Sequence, residues 1–249
     1  MILLADVGNS RVKWLSCAQG EFSQRGQASR DGADWRELGS RMWADLPHPA
    51  RVIIVSVAGP EARAGLAEWV QQHWGIEAEF VTSTAAAWGI HNSYAEPERM
   101  GADRWVAMIA ARALSDQACY VVDCGTALTI DALAADGRHL GGVIIPGIRL
   151  MREALYRETR QIPPETGQVH LFGQSTRDGV WGGASYAVAA AIDGVIERMM
   201  MQQGPGLCLL TGGDAEAISP YLHGAYRLEP DLIFTGLRVI AGEYPSRYD

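Results

Sequence analysis

Ile2-Leu3-Leu4-Ala5-Asp6-Val7-Gly8-Asn9-Ser10 and Tyr120-Val121-Val122-Asp123-Cys124-Gly125-Thr126-Ala127 are the same pattern written twice. Each is a short apolar run, then Asp-x-Gly, then a small polar pair. Each is followed by a second strand-like run, Val12 to Cys17 and Ala127 to Leu133. A buried strand that ends in Asp-x-Gly and turns tightly into a second strand presents backbone N–H groups and one carboxylate at the turn. Such a turn cradles a phosphate through its amides, and the Asp holds a metal or its water shell. One copy alone says little, because turns are where glycine is commonest. Two copies, with their Asp residues 117 positions apart, imply two similar lobes facing one nucleotide.

Outward from the first copy, Glu21 to Gln27 reads as a third strand. Residues 33–46 carry Trp35, Leu38, Met42 and Leu46 at helical spacing. Arg51 to Val57 is a β-branched run, read as a buried strand. Pro60 opens a helix through Leu66, Trp69, Val70 and His73 that Gly75 stops. Ala78 to Thr82 is a strand, 84–99 a loop, and Asp103 begins a helix through Trp105, Met108, Ile109 and Leu114.

The second copy continues to an Asp136-Gly137 hairpin turn. A returning strand ends Gly141-Gly142-Val143-Ile144-Ile145-Pro146-Gly147, and a helix with Leu150, Met151, Ala154 and Leu155 follows. Residues 158–174 read as a loop and 176–203 as a long, Ala-rich helix. A strand from Gly206 to Thr211 ends at Gly212-Gly213-Asp214. Helices at 214–222 and 231–243 flank a short strand near Tyr226 to Leu228. The expected division is an N-terminal lobe, 1–115, and a C-terminal lobe, 116–249. This is an α/β chain, but not a Rossmann one, because the glycine turn joins strand to strand. It has no G-x-x-x-x-G-K-[ST] loop and no protein-kinase signature. A two-lobed chain with paired, hairpin phosphate turns resembles the actin, hexokinase and Hsp70 ATPase superfamily. The expected fold is therefore two actin-like ATPase lobes of the ribonuclease H-like kind.

With 48% hydrophobic and 20% charged residues, the composition is that of an ordinary globular protein. A net charge of −8 argues against nucleic acid or an anionic membrane as a partner. The four cysteines, Cys17, Cys119, Cys124 and Cys208, form no Cys-x-x-Cys pair, and the histidines are scattered. A zinc site or a disulfide framework is therefore not expected. The N-terminus enters a strand directly, and no run reads as a membrane span of about 20 apolar residues. A cytoplasmic setting is the expectation. Of 21 basic residues, Lys13 alone is lysine, and it falls in the first phosphate-turn candidate. A lysine is a rotatable point donor suited to phosphate, whereas arginine is a rigid fork. Across a hairpin turning at Gly8 to Arg11, Lys13 would face Asp6, so a cross-strand ion pair is the simpler role.

Five segments carry candidate chemistry: the two turns, Gly101-Ala102-Asp103-Arg104, Gly141 to Gly147, and Thr211-Gly212-Gly213-Asp214. Asp103 stands where an N-cap would, the ordinary role of Asp at a loop-to-helix junction. An adjacent Asp-Arg pair also supplies a general base beside an anion clamp, as phosphoryl transfer to a hydroxyl requires. A strand ending in two glycines lets backbone approach a ring or sugar closely.

In this order the segments Asp-x-Gly-Asn-Ser-x-x-Lys, Gly-Ala-Asp-Arg, Asp-x-Gly-Thr-Ala, Gly-Gly-x-x-x-Pro-Gly and Thr-Gly-Gly-Asp resemble type III pantothenate kinases over essentially the whole chain. The resemblance implies ATP-dependent phosphorylation of pantothenate, the first committed step toward coenzyme A. It implies that Asp6, Val7, Gly8, Asn9, Ser10, Arg11, Val12 and Lys13 form the first phosphate loop, with Asp6 toward magnesium, directly or through water. Gly125 and Thr126 would meet ATP from the second turn, Gly212, Gly213 and Asp214 would lie near adenosine, and Asp123 would hold potassium or ammonium. Tyr94, Gly101, Ala102, Asp103, Arg104 and Thr176 would bind pantothenate, with Asp103 as general base. The resemblance also implies a homodimer, with the long helix near its interface. The rival readings are another small-molecule kinase or phosphohydrolase of the superfamily, and an ATP-binding regulatory protein without turnover. Gly101 to Arg104 with Tyr94 argues against the first, and intact Asp6, Asp103 and Asp123 against the second.

Overall fold

Both Asp-x-Gly runs fold as antiparallel hairpins at the centre of a sheet. The structure is a computed structural model that describes residues 1–18, 21–30, 32 and 34–244. Its contacts divide the chain into two units: Met1–Leu114 with the C-terminal segment from Asp231, and Ser115–Pro230.

In the first unit, β1 (Ile2–Val7) turns into β2 (Arg11–Ala18), and β3 (Glu21–Ser29) extends the meander. α1 (Trp35–Trp43), β4 (Arg51–Ser56), α2 (Pro60–Trp74) and β5 (Ala78–Phe80) follow. The residue at 33, where a helix is predicted to start, lies outside the described residues; Asp34 caps α1 by accepting from Arg36 N at 3.0 Å. Pro60 sits at the first turn of α2, and Gly75 ends it at φ 66°. The segment predicted as a loop contains a small hairpin, β6 (Ala86–Ala87) and β7 (Ile90–His91), and one 3₁₀ turn, Pro97–Arg99. α3 is Ala102–Leu114.

The sheet order is β3-β2-β1-β4-β5, with β4 and β5 parallel to β1. Val52, Ile53, Ile54 and Val55 of β4 are all buried, the continuous apolar run of a strand covered on both faces. α1 and α2 cover one face, where Leu3, Val7 and Val12 meet Leu38, Trp43, Leu66 and Trp69. Burying each such side chain contributes roughly 1.5–3 kcal/mol.

The second unit opens with β8 (Cys119–Cys124) and β9 (Ala127–Leu133), and β10 (His139–Pro146) completes the meander. α4 (Ile148–Glu158), α5 (Thr176–Gln203), β11 (Leu207–Thr211), α6 (Ala215–Ile218) and β12 (Arg227–Leu228) follow. Its sheet order is β10-β9-β8-β11-β12, with the same sequence of antiparallel and parallel pairings as in the first unit. The repeated sequence is thus a repeated topology. The helix α5 has 28 residues and is long and apolar enough to cross a membrane by length and composition. No such run is expected from the sequence. Here Val188, Ala189, Ile192 and Ile196 pack into the core of the unit against Tyr120, Val122 and Ile130, so α5 is a core helix.

The last helix, α7 (Leu232–Ala241), corrects the expected division. It joins the first unit, where Gly236 lies so close to α3 that a Cβ would collide with Val106 O. Arg51 Nη1 donates to Ala241 O at 3.0 Å, a cation at the helix C-terminus. Arg25 pairs with Asp231 at 3.0 Å.

Candidate active site

The first turn places its groups by strand register. Asp6 pairs with Lys13 and Val7 with Val12 across β1 and β2. Gly8 N donates to Arg11 O at 3.0 Å and closes the turn, leaving Asn9 exposed at its tip. Val7 and Val12 are fully buried, so their side chains serve the core, and only their backbone belongs to the turn. Burial pushes the Asp6 carboxyl up to about 6; Lys13 draws it down and the nearby Asp103 raises it further.

That coupling brings the third candidate segment to the first turn. Gly101 O accepts from Trp105 N at 3.1 Å, which makes Gly101 the start of the first helical turn. Asp103 is therefore inside the helix and not its N-cap. Its Oδ1 accepts from Arg104 N at 2.8 Å. A Cβ at Gly101 would stand 2.6 Å from that oxygen, so a larger residue there would push the carboxylate out of this position. A carboxylate in the first turn is favoured by the helix dipole.

Arg104 is 5% exposed. Its Nη1 donates to Tyr94 Oη at 2.8 Å, and its guanidinium lies 5.7 Å from the Tyr94 ring centre. Two side chains that the sequence assigned to one substrate thus touch. The loop between them carries contacts that motif reading missed. Asn92 Oδ1 accepts from Tyr94 N at 3.0 Å, Asn92 Nδ2 donates to Pro97 O at 3.3 Å, and buried Ser83 Oγ donates to Met100 O at 2.7 Å. Asn and Ser in a loop are too common to signal such roles without coordinates.

In the second unit three glycine segments meet. Gly125 N donates to Ala127 O at 3.2 Å and closes the turn that follows Asp123. Gly147 N donates to Thr126 O at 3.1 Å, and a Cβ at Gly147 would collide with Gly125 O and Thr126 O. Thr211 pairs with Asp123 between β11 and β8. Gly212, at φ 98°, presses on the same strand end, where a Cβ would strike Asp123 Oδ1 and the Cys124 backbone. Asp214 N then donates to Cys124 O at 2.9 Å. Burial, with Asp123 and Asp214 adding to it, pushes the Cys124 thiol up to about 12, so it is unreactive at neutral pH.

Thr176 is the exposed first residue of α5, behind the cap Ser175, whose Oγ accepts from Asp178 N at 3.2 Å. His139, read as isolated, forms a buried pair with Asp131 at 2.9 Å. Among the described residues, no group of three or more His, Cys, Asp or Glu side chains is placed to share a metal. Asp6 and Asp123 instead each offer a single carboxylate at the glycine turn of their own unit. Either carboxylate alone fits a hard cation that completes its shell with phosphate oxygens and water.

Two units of one topology, each opened by an acidic glycine hairpin, give the chain a fold of the actin-like ATPase kind, which solved proteins of several activities share. A solved Baf family protein of Campylobacter jejuni covers 97% of this chain and 98% of its own, with TM-score 0.59 at 21% identity. The inorganic polyphosphate/ATP-glucomannokinase of Arthrobacter sp. strain KM covers 97% and 98%, with TM-score 0.53 at 12% identity. At those identities the likeness is one of fold.

The type III pantothenate kinase family model matches residues 2–198. The type III pantothenate kinase of Nitrosococcus oceani is 38% identical over 97% of this chain and 94% of its own length. The chain belongs to the type III pantothenate kinase family.

Proposed function

We propose that Asp103 is the general base in the family's reaction, ATP-dependent phosphorylation of pantothenate in coenzyme A biosynthesis. The observation that carries this reading is the convergence in the first unit of Asp103 with Asp6 and of Arg104 with Tyr94. A base must stand beside both the phosphate turn and a clamp for the acceptor. Arg104 and Tyr94 clamp pantothenate, with Gly101, Ala102 and Thr176 as further substrate-binding residues. Asp103 accepts the proton of the acceptor hydroxyl as its oxygen bonds to the γ-phosphorus of ATP and the bond to the β-phosphate oxygen breaks.

The backbone of residues 7–12 and the Lys13 ammonium bind the phosphates. In the second unit, Gly125 and Thr126 also serve ATP in this reading, and Gly212 to Asp214 serve its adenosine. Asp6 would hold magnesium and Asp123 potassium or ammonium. Bound there, these cations supply offsetting charge for the transferring phosphoryl group. The reading includes a cytoplasmic homodimer. In its support, α5 exposes Gly179, Gly183, Ala187 and Ala190 along one face, and the loop before it exposes Leu171 (65%) and Phe172 (84%).

The test is ADP release with and without pantothenate, in potassium and in sodium, for wild type and Asp103→Asn. Pantothenate-dependent, potassium-activated turnover is expected. The variant should lose about 10²–10⁴-fold in kcat while still binding ADP. Near wild-type turnover in Asp103→Asn would reduce Asp103 to a structural member of its helix turn.

A further inference from the structure

The contacts around the acceptor clamp form one connected circuit. Ser83 Oγ donates to Met100 O at 2.7 Å, and Met100 N donates to Pro97 O at 3.2 Å. Pro97 O also accepts from Asn92 Nδ2 at 3.3 Å, and Asn92 Oδ1 accepts from Tyr94 N at 3.0 Å. Tyr94 Oη accepts from Arg104 Nη1 at 2.8 Å, and Arg104 N donates to Asp103 Oδ1 at 2.8 Å. Met100 leads through Gly101 back to Asp103, so the circuit closes on itself. Two of its side chains, Ser83 and Asn92, have no part in the chemistry described above.

We propose that Ser83 and Asn92 are positioning residues for phosphoryl transfer, fixing residues 92–100 from both ends so that Tyr94, Arg104 and Asp103 stand in one geometry. This rests on the assignment of those three residues to the acceptor site.

The physical argument is one of freedom removed. Ser83 is 5% exposed and Met100 is buried, so their bond forms away from competing water. It fixes the carbonyl immediately before the α3 turn, and hence the direction in which the helix starts. Asn92 makes two bonds to its own loop, one to Tyr94 N and one to Pro97 O. It sets the loop conformation from which Tyr94 reaches Arg104. Asn92 N also donates to Ala85 O at 2.9 Å, which anchors the loop on the small β6–β7 hairpin. A displaced acceptor clamp costs rate because the acceptor oxygen and the γ-phosphorus no longer meet in line; about 1 Å of error can cost about 10²-fold.

The experiment is steady-state kinetics of the full chain as Ser83→Ala, Ser83→Thr, Asn92→Ala and the wild type, with KM for pantothenate and for ATP measured separately and Tm alongside. Ser83→Ala and Asn92→Ala should each raise KM for pantothenate about tenfold and lower kcat several-fold. KM for ATP and the affinity for ADP should stay within about twofold, because the phosphate turns are untouched. Ser83→Thr keeps the hydroxyl and should recover most of the loss. Should Ser83→Ala fail to fold, Asn92→Ala, at a partly exposed loop position, decides the matter alone. Unchanged KM for pantothenate in a folded variant, or equal changes for both substrates, would overturn the proposal. A wild type with no pantothenate-dependent ADP release would instead remove the assignment beneath it.

Discussion

Burial pushes the carboxyl of half-buried Asp6 up to about 6; Lys13 draws it down and the nearby Asp103 raises it. A folded pKa raised above the ordinary value near 3.8 means that folding favours the protonated form. Asp6 therefore costs no stability below about pH 4, and stability falls as pH rises through about 6. Asp6→Asn is expected to stabilise the metal-free protein at pH 8 by up to about 3 kcal/mol, and to give no gain near pH 4. Denaturant unfolding in EDTA at the two pH values measures this, and an equal effect at both would contradict it. Lys13 belongs to the same balance. Without it Asp6 holds its proton to higher pH, so Lys13→Met should lose ATP affinity, and should lower Tm somewhat at pH 8 but not near pH 4. Lys13→Arg should keep stability and lose turnover, since a planar fork replaces a point donor. Calorimetric ATP titration with kinetics decides; a Lys13→Met protein that loses stability but keeps ATP affinity and rate would leave Lys13 a plain ion-pair partner. The pairing of Asp6 with Lys13 was legible in the sequence, because a tight turn sets register. The nearness of Asp103 was not, because no spacing rule joins residues separated by 97 positions.

At the scale of elements, the strongest sequence reading was the repeat. Apolar runs with Asp-x-Gly ends became β1 and β8, central strands of equal topology. Pro60 and Gly75 bounded α2 as read, because both act through local backbone geometry. The β6–β7 hairpin went unread: it is two residues a side, and its turn places Trp88 at φ 49°, a conformation that Trp rarely signals. Glycine segments were legible as turns but not as neighbours. Gly147, Gly125 and Gly212 meet because β10, β8 and β11 run the same way and finish at the same end of one sheet. Gly212→Ala therefore faces two costs, a left-handed φ of about 1–2 kcal/mol and a collision with Asp123 and Cys124. The expected result is a protein several kcal/mol less stable with weakened ATP binding, read by thermal shift and calorimetry. Gly213→Ala, whose Cβ would meet nothing within 4 Å, supplies the stability comparison.

At the scale of the molecule, the sequence misassigned α7. An amphipathic helix advertises an apolar face but not the sheet that the face will cover. The first unit is thus built from both ends of the chain, with α3 and α7 packed together. The surface of α5 bears on assembly in a similar way. Its buried side serves the core of its own unit. Its other side shows Gly179, Gly183, Ala187 and Ala190 at helical spacing, and at the two glycines a Cβ would meet nothing within 4 Å. Small residues along a helix let a second backbone approach closely, and Leu171 and Phe172 nearby add exposed apolar area of the kind that an interface covers. Gly183→Arg adds a long, charged side chain to that face without touching the core, and arginine suits a helix better than glycine. The variant should keep its Tm and sediment as a monomer at micromolar concentration, where the wild type should sediment as a dimer. Because Thr176 opens the same helix, its pantothenate turnover should fall with the dimer. A wild type that is monomeric and fully active at that concentration would remove the homodimer, and a Gly183→Arg protein that still dimerises would move the interface off this face of α5.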